Sequence, residues 1–133
     1  MIQNPAGSSN SVGTDPLADP QAQEWERHYS TGLHLTLLAF NVAVPLVPAV
    51  VMYLIKKDES PFVADHGREA INFQISLLIY GIIGALLIPA CGSGIVVLTA
   101  VYVLGIIGMI FAAMAANKGR YYRYPACLRF LSK

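Results

Sequence analysis

Three long stretches of this chain contain almost no charge, and they restrict its fold more than any other feature. They are residues 31–55, 70–91 and 95–116, and His34 is their only ionisable residue apart from tyrosine and cysteine. A helix of about 20 apolar residues crosses the ~30 Å hydrocarbon core of a membrane with its backbone hydrogen bonds satisfied internally. The sequence therefore predicts an all-α integral membrane helical bundle with three transmembrane spans.

The composition supports a membrane location. Of the 133 residues, 55% are hydrophobic and 13% are charged, whereas about 25% are charged in a typical soluble protein. A soluble protein with buried core helices is the alternative, but such helices usually keep a polar face, which residues 75–90 and 95–116 lack. We expect one membrane domain over residues 21–133.

A charged island, residues 56–69, follows the first stretch and contains four of the eight acidic and three of the nine basic residues. A basic tail, residues 117–133, follows the third stretch with five bases and no acid. Eight of the nine bases therefore lie on one side of a three-span arrangement, with Arg27 the exception. The positive-inside rule makes that side cytoplasmic, so we predict a cytoplasmic loop at 56–69, the N-terminus outside and the C-terminus inside.

The beginning of the chain predicts a flexible tail and an interrupted helix. Residues 1–20 are rich in Asn, Ser, Gly, Pro and Gln and contain no base, which favours a disordered tail rather than a cleavable signal. In the first span, Pro45 and Pro48 each remove a backbone donor, so the span is expected to be kinked or broken there. One kinked helix and two half-helices both remain open. We interpret His34 as a hydrogen-bonded interfacial histidine, with a metal ligand or proton relay as the alternative.

Polar and small residues at helical spacing predict a packing face on the second and third spans. Their spacing of three and four places the members on one side of each helix, and small residues allow close helix approach. We interpret the face as a contact surface for a partner or a second copy, with a polar path through the membrane as the alternative. Its members are Glu69, Asn72, Ser76, Tyr80, Gly84, Gly108 and Ala112.

The charged island predicts a helix start, because Ser60 is a good N-cap and Pro61 suits the first helical position. Asp65, His66 and Glu69 come next at helical spacing, and such a trio could bind a divalent cation or act in acid–base catalysis. Ordinary interfacial charges that pair with nearby bases explain the same residues. We predict no catalytic residue, cofactor or metal here.

The basic tail predicts contact with an anionic membrane surface. After Pro125, its apolar residues suggest a short C-terminal interfacial helix that dips into lipid. Nucleic acid is not an expected partner, because membrane topology alone explains these bases. Cys91 and Cys127 are predicted on opposite sides of the membrane, so they should not pair. The candidate lipid contacts are Lys118, Arg120, Arg123, Arg129 and Lys133.

Two segments carry a family resemblance: residues 56–63 (KKDESPFV) and 66–76 (HGREAINFQIS), supported by residues 116–119 (ANKG) and 122–125 (YRYP). They resemble the signature of a bacterial domain-of-unknown-function family of small multi-span membrane proteins. That family is distantly similar to a membrane component of the chloroplast inner-envelope protein-import machinery. The resemblance covers roughly residues 28–130 and implies a location in the bacterial cytoplasmic (inner) membrane. It carries over no functional residues.

We therefore predict a structural or accessory subunit that packs against larger membrane partners or itself, and not an enzyme. Membrane lipids and other membrane protein subunits are the expected partners. A component of a transport or protein-translocation assembly is the alternative, and it would need oligomers because three spans cannot enclose a pathway. Membrane enzyme chemistry on the trio of the charged island is a third hypothesis.

Overall fold

The computed structural model describes residues 15–38, 46–90 and 92–132. These form four helices: α1 (Glu24–Leu35), α2 (Val47–Lys56), α3 (Pro61–Leu86) and α4 (Ser93–Asn117). Within these ranges no β-strand forms, although one isolated bridge joins Ala18 to Arg120. The predicted all-α class is confirmed.

Helices α3 and α4 form a long antiparallel pair. Ser60 caps α3 as predicted, because its Oγ accepts a hydrogen bond from the backbone N–H of Val63 at 3.2 Å, and Pro61 occupies the first turn. With 26 and 25 residues, the two helices are long and apolar enough to cross a membrane. At 1.5 Å per residue they measure about 39 and 37 Å. The part of the chain that the structure describes therefore has two candidate membrane-spanning helices, and not the three that the sequence predicted.

The predicted first span, residues 31–55, is instead divided between two short helices that run in opposite directions. The hydroxyl of Tyr29 donates to the backbone carbonyl of Met52 at 2.7 Å, and Lys56 Nζ lies 5.5 Å from the centre of the Trp25 ring. Later residues of α1 therefore contact earlier residues of α2, so the two helices are antiparallel. The start of α1 and the end of α2 lie at the same end of the bundle.

The break between these helices agrees with the half-helix alternative. Helix α1 ends at residue 35, and α2 begins at residue 47 with Pro48 in its first turn, where a missing N–H removes no helical bond. Leu46 precedes α2 with a φ of 75°. Pro45 and the rest of residues 39–45 lie outside the described residues.

The core occupies one half of the bundle. Apart from two glycines, the buried residues of α3 fall between 62 and 77, and those of α4 between 105 and 116. Helices α1 and α2 pack over this half. The other halves of α3 and α4 keep large apolar side chains exposed, such as Leu86 at 74% and Val96 at 72%. Residues 15–38, 46–90 and 92–132 thus form a broad, well-packed end and a narrow end of two helices.

The segments before α1 and after α4 meet at the broad end. The backbone N–H of Asp19 donates to the carbonyl of Gly119 at 2.8 Å, and that of Tyr121 donates to the carbonyl of Leu17 at 2.8 Å. Residues 15–20, which the sequence assigned to a disordered tail, make these defined contacts, whereas residues 1–14 lie outside the described residues. The sequence predicted the N-terminus and the C-terminus on opposite sides of the membrane. This arrangement disagrees with that prediction, because α1 and α2 form an antiparallel pair and the segment before α1 contacts the segment after α4.

The predicted C-terminal interfacial helix is also absent from residues 118–132. This segment has no helical structure and folds back along α3. The backbone N–H groups of Leu128, Phe130 and Leu131 bond to side chains of α3 rather than to one another, as described below. That pairing removes the driving force for a helix of its own.

The contact between α2 and α3 predicts a sharp difference between two glycines of the same helix. A methyl group at Gly67 would lie 2.5 Å from Cδ2 and 3.2 Å from Cβ of Tyr53, so Gly67→Ala forces α2 away from α3. Overpacking of this kind costs about 1–3 kcal/mol, which should lower the thermal unfolding midpoint in detergent.

Gly81→Ala is the matched control, since no atom lies within 4 Å of the added methyl group. It should leave the midpoint unchanged or raise it, because alanine is favoured over glycine inside a helix by about 0.5–1 kcal/mol. Equal midpoints for the two variants would contradict the packing of α2 on α3.

Candidate functional site

The polar face of α3 is covered by the chain's own C-terminal segment, residues 120–132. On this face Glu69, Asn72, Ser76 and Tyr80 lie on one side of the helix, as their spacing predicts. Each of them hydrogen-bonds to the C-terminal segment. The face that the sequence singled out is thus brought together, but its partner lies within the same chain.

Asn72 makes the most contacts with the backbone of the segment. Its Oδ1 accepts hydrogen bonds from the backbone N–H groups of Phe130 at 3.1 Å and Leu131 at 2.8 Å. Its Nδ2 donates to the carbonyl of Leu131 at 2.8 Å. One buried amide therefore satisfies three backbone groups that have no helix or strand partner.

Ser76 and Tyr80 continue this pairing further along α3. Ser76 Oγ accepts from the backbone N–H of Leu128 at 2.8 Å and donates to the carbonyl of Asn72 at 2.7 Å. The hydroxyl of Tyr80 donates to the carbonyl of Ala126 at 2.8 Å, at a turn where Ala126 has a φ of 54°. The segment therefore runs along α3 from Asp65 towards Tyr80, turns there, and runs back to Asn72.

The chemical reason for this arrangement is the cost of unpaired backbone groups. Irregular backbone is tolerated at membrane depth only where protein groups or water satisfy its donors and acceptors. The polar side chains of α3 supply those partners. In exchange, the segment shields side chains that would be costly to expose to lipid.

Two buried carboxylates hold the ends of the segment. Asp65 accepts hydrogen bonds from Arg123 Nη1 at 2.5 Å and Nη2 at 3.0 Å, which is the bidentate geometry that suits a guanidinium. Glu69 Oε1 lies 3.2 Å from Arg129 Nε and 3.6 Å from Arg123 Nη1. The carboxylates are 6–7% exposed, and the arginines are 42% and 52% exposed. The acids thus depend on arginines that keep one edge in solvent.

A chain of three buried polar rings joins α1, α3 and the C-terminal segment. His34 Nε2 lies 2.7 Å from His66 Nδ1, and His34 Nδ1 lies 2.8 Å from the hydroxyl of Tyr124. Each neutral imidazole has one donor and one acceptor, so these bonds run in a single direction along the chain. The Tyr124 ring also stacks on Phe73 with centroids 3.8 Å apart. His34 is hydrogen-bonded, as the sequence predicted, but its partners are buried.

The N-terminal residues close the site from the outside. Arg120 Nη2 lies 2.6 Å from Asp15 Oδ2, and the hydroxyl of Tyr121 donates to Asp19 Oδ2 at 3.0 Å. Burial, followed by the hydrogen bond to Asp19, raises the pKa of Tyr121 to about 12. Tyr121 therefore remains a neutral donor throughout the physiological range.

The small residues of the predicted packing face bring elements of this same chain together. Leu98 of α4 fills the space left by Gly84, where an added Cβ would meet it at 2.9 Å. Gly108 receives the ring of Phe73 in the same way, and Ala112 is fully buried. Their contribution to an interface with another subunit stays a prediction.

The candidate lipid contacts differ in whether they form ion pairs with acids of the same chain. Lys118 is exposed and forms no ion pair with any residue that the structure describes. Arg120, Arg123 and Arg129 are paired with acids but keep 42–52% of their side chains exposed. Lys133 lies outside the described residues. Contact of these bases with anionic lipid remains a prediction.

The trio of the charged island does not converge on one point. Asp65 and Glu69 face arginines, whereas His66 faces His34. Over residues 15–38, 46–90 and 92–132, no three His, Cys, Asp or Glu side chains are placed to hold a metal ion. The structural use of these groups is to fasten the segment and α1 to α3.

The elements above describe a small helical membrane protein with two long apolar helices, a pair of short helices beside them, and a segment bound to a polar helix face. The chain belongs to the MamF/MmsF family, the magnetosome magnetite crystal formation protein family, whose model matches residues 25–131. That range extends from α1 to nearly the end of the C-terminal segment.

No curated protein and no solved structure matches the chain. The family match supports the small membrane-protein family that the sequence suggested. It gives no support for the resemblance to the chloroplast import component.

The buried carboxylates predict unequal effects of two similar substitutions. Glu69→Gln weakens the bonds to Arg123 and Arg129 and should lower the free energy of unfolding by about 1.5–3 kcal/mol, the range for hydrogen bonds to charged groups. Glu59→Gln removes only an exposed pair with Lys56, which is worth roughly 0–1 kcal/mol. Unfolding midpoints in detergent compare the two, and equal losses would show that the buried pair has no special role.

The amide of Asn72 predicts a local effect on hydrogen exchange. Asn72→Ala leaves the N–H groups of Phe130 and Leu131 without their acceptor, so these amides should exchange at least about tenfold faster, which corresponds to 1.4 kcal/mol. Thr99→Ala is the control, because the Thr99 hydroxyl bonds only to the carbonyl of Ile95 within α4. Unchanged protection in the Asn72 variant would rule out this pairing.

Proposed function

We propose that this protein is a membrane-embedded structural subunit that serves magnetite crystal formation from within the membrane, with its charged end in the cytoplasm. One observation carries the proposal: the charged residues that the structure describes belong to residues 15–27, 56–69 and 118–129, which meet at the broad end. The narrow end consists of apolar helices. The described part of the chain therefore carries its acidic and basic side chains at one end only.

The turn at the narrow end supports an indirect part in crystal formation. Residues 87–92 join α3 to α4, and residues 87–94, which include the start of α4, contain no acidic or basic side chain. Iron-bearing mineral surfaces are bound through carboxylates and other oxygen ligands, which this turn does not offer as side chains apart from a serine hydroxyl. The proposed action is on the membrane and its other proteins rather than on the mineral.

The positive-inside rule supports the orientation. Lys56, Lys57 and Lys118 all belong to the broad end, which would therefore face the cytoplasm. Residues 15–23 belong to the same end, so the proposal assigns the N-terminal side of α1 to the cytoplasm as well. This replaces the outward N-terminus that the three-span prediction required.

The exposed apolar surface supports an accessory role with lipid and protein partners. Ile82, Leu86, Val96 and Tyr102 are 54–74% exposed on the narrow half, where lipid tails or helices of other subunits could cover them. The polar face that motivated a transport role is bonded to the C-terminal segment. A structural subunit, and not an enzyme or a transport pathway, is therefore the function that the geometry supports best.

Cysteine labelling tests the orientation. In a bacterial host, the Cys127→Ser variant keeps Cys91, between α3 and α4, as its only cysteine, and a membrane-impermeant maleimide should label it in spheroplasts. Gln21→Cys and Lys118→Cys, made in a background without native cysteines, should both be labelled only after the membrane is permeabilised. Labelling of Gln21→Cys from outside, with Lys118→Cys protected, would restore the three-span arrangement.

Cells that form magnetite test the function. Deletion of the protein should change the size or number of crystals seen by electron microscopy. Glu59→Gln should restore them, whereas Glu69→Gln should not, because it weakens the docking of the C-terminal segment. Unchanged crystals in the deletion strain would contradict the proposed function.

A further inference from the structure

The protein occupies very different areas in the two halves of the membrane. The broad half contains α1, α2, the first part of α3, the last part of α4 and the C-terminal segment. Of the residues that the structure describes, the narrow half contains only the remaining parts of α3 and α4 and the turn between them. This asymmetry follows from where the buried residues lie, and it holds whichever side the broad end faces.

The lengths of the short helices set the depth of the asymmetry. With 12 and 10 residues, α1 and α2 measure about 18 and 15 Å at 1.5 Å per residue. The hydrocarbon core is ~30 Å thick, so this helix pair reaches only about the middle of the membrane. The two helices therefore add area to one leaflet only.

The outer surface of α2 and the C-terminal end of α1 belong in lipid. Leu35 is 41% exposed at the end of α1, and Leu38 follows at 48%. On α2, Val51, Leu54 and Ile55 are 49–61% exposed. A helix pair lying in water would leave this apolar surface uncovered, whereas acyl chains cover it at no cost.

The broad half is also fastened in several places, which keeps its width. Gly67 seats Tyr53 of α2, and the His34–His66 hydrogen bond ties α1 to α3. The bidentate pair of Asp65 and Arg123 holds the C-terminal segment. The extra area is therefore a fixed part of the fold.

The size of the asymmetry follows from the width of a helix. A helix with its side chains is about 10–12 Å across, which corresponds to roughly 80–110 Å² in the membrane plane. Helices α1 and α2 together add about 160–220 Å² to one leaflet, before the C-terminal segment is included. A leaflet expanded in this way is accommodated best on the convex side of a curved membrane.

We propose that the protein is a membrane-curvature wedge: it favours strongly curved lipid surfaces, with its broad, charged end in the convex leaflet. The inference rests on the proposed membrane placement and adds an activity to it. In a vesicle that buds into the cytoplasm the convex leaflet is the cytoplasmic one, which agrees with the charge distribution. The partner is the shape of the lipid surface rather than a particular headgroup.

Membrane tethers test the proposal. Full-length fluorescent protein is reconstituted into giant vesicles with a lipid dye, and thin tubes are pulled outward from vesicles whose chains have the broad end outside. An impermeant amine reagent reports that orientation, because Lys56, Lys57 and Lys118 lie at the broad end. The protein-to-dye ratio should rise about twofold or more from the flat membrane to the tube, and further in thinner tubes.

The contrary outcomes are distinguishable from one another. Equal ratios on flat and tubular membrane, for a chain that floats with the lipid, would overturn the wedge and leave the membrane placement intact. A chain that fails to float with the vesicles would overturn the membrane placement itself. Chains inserted with the broad end inside should be depleted from the same tubes, and enrichment of both orientations would also refute the wedge.

Discussion

An unpaired backbone N–H or C=O costs several kcal/mol in hydrocarbon, and much of this structure depends on how that cost is avoided. In α3 and α4 the helices satisfy their own groups. In the C-terminal segment they are satisfied by Asn72, Ser76 and Tyr80 of α3. The polar face of α3 and the irregular C-terminal segment therefore satisfy each other's hydrogen-bonding groups, and either one alone would be costly to place in a membrane.

The buried acids of α3 at the broad end are likewise paired with groups of the C-terminal segment. Asp65 and Glu69 are almost completely buried, and arginines from the C-terminal segment reach back to them. Replacing the arginine of such a pair leaves a buried carboxylate behind, which costs more than the pair contributes. The docking of the segment, the burial of the acids and the polar face of α3 are therefore coupled.

Much of the long helix pair could be predicted from the sequence, because apolar length and helical spacing are local properties. The polar face of α3 and the start of the helix at Ser60 were predicted for the same reason. The first span was wrong, because a 25-residue apolar stretch with two prolines has the same pattern whether it continues or turns back. Only the distant contacts of Trp25 with Lys56 and Tyr29 with Met52 distinguish these cases. The docking of the C-terminal segment on α3 was not predicted. The one indication was charge, since the five bases of the tail are opposite in sign to Asp65 and Glu69 of α3.

The placement of every described charge at one end has a consequence for how the chain enters a membrane. Inserting α3 and α4 as a hairpin moves only the residues of their connecting turn across the lipid, and residues 87–94 carry no charge. Residues 31–55 can enter later from the side they started on, without carrying a charged group through the core. The insertion machinery therefore never has to translocate a charged side chain. Assembly can finish on that same side, when the arginines of the C-terminal segment reach the acids of α3.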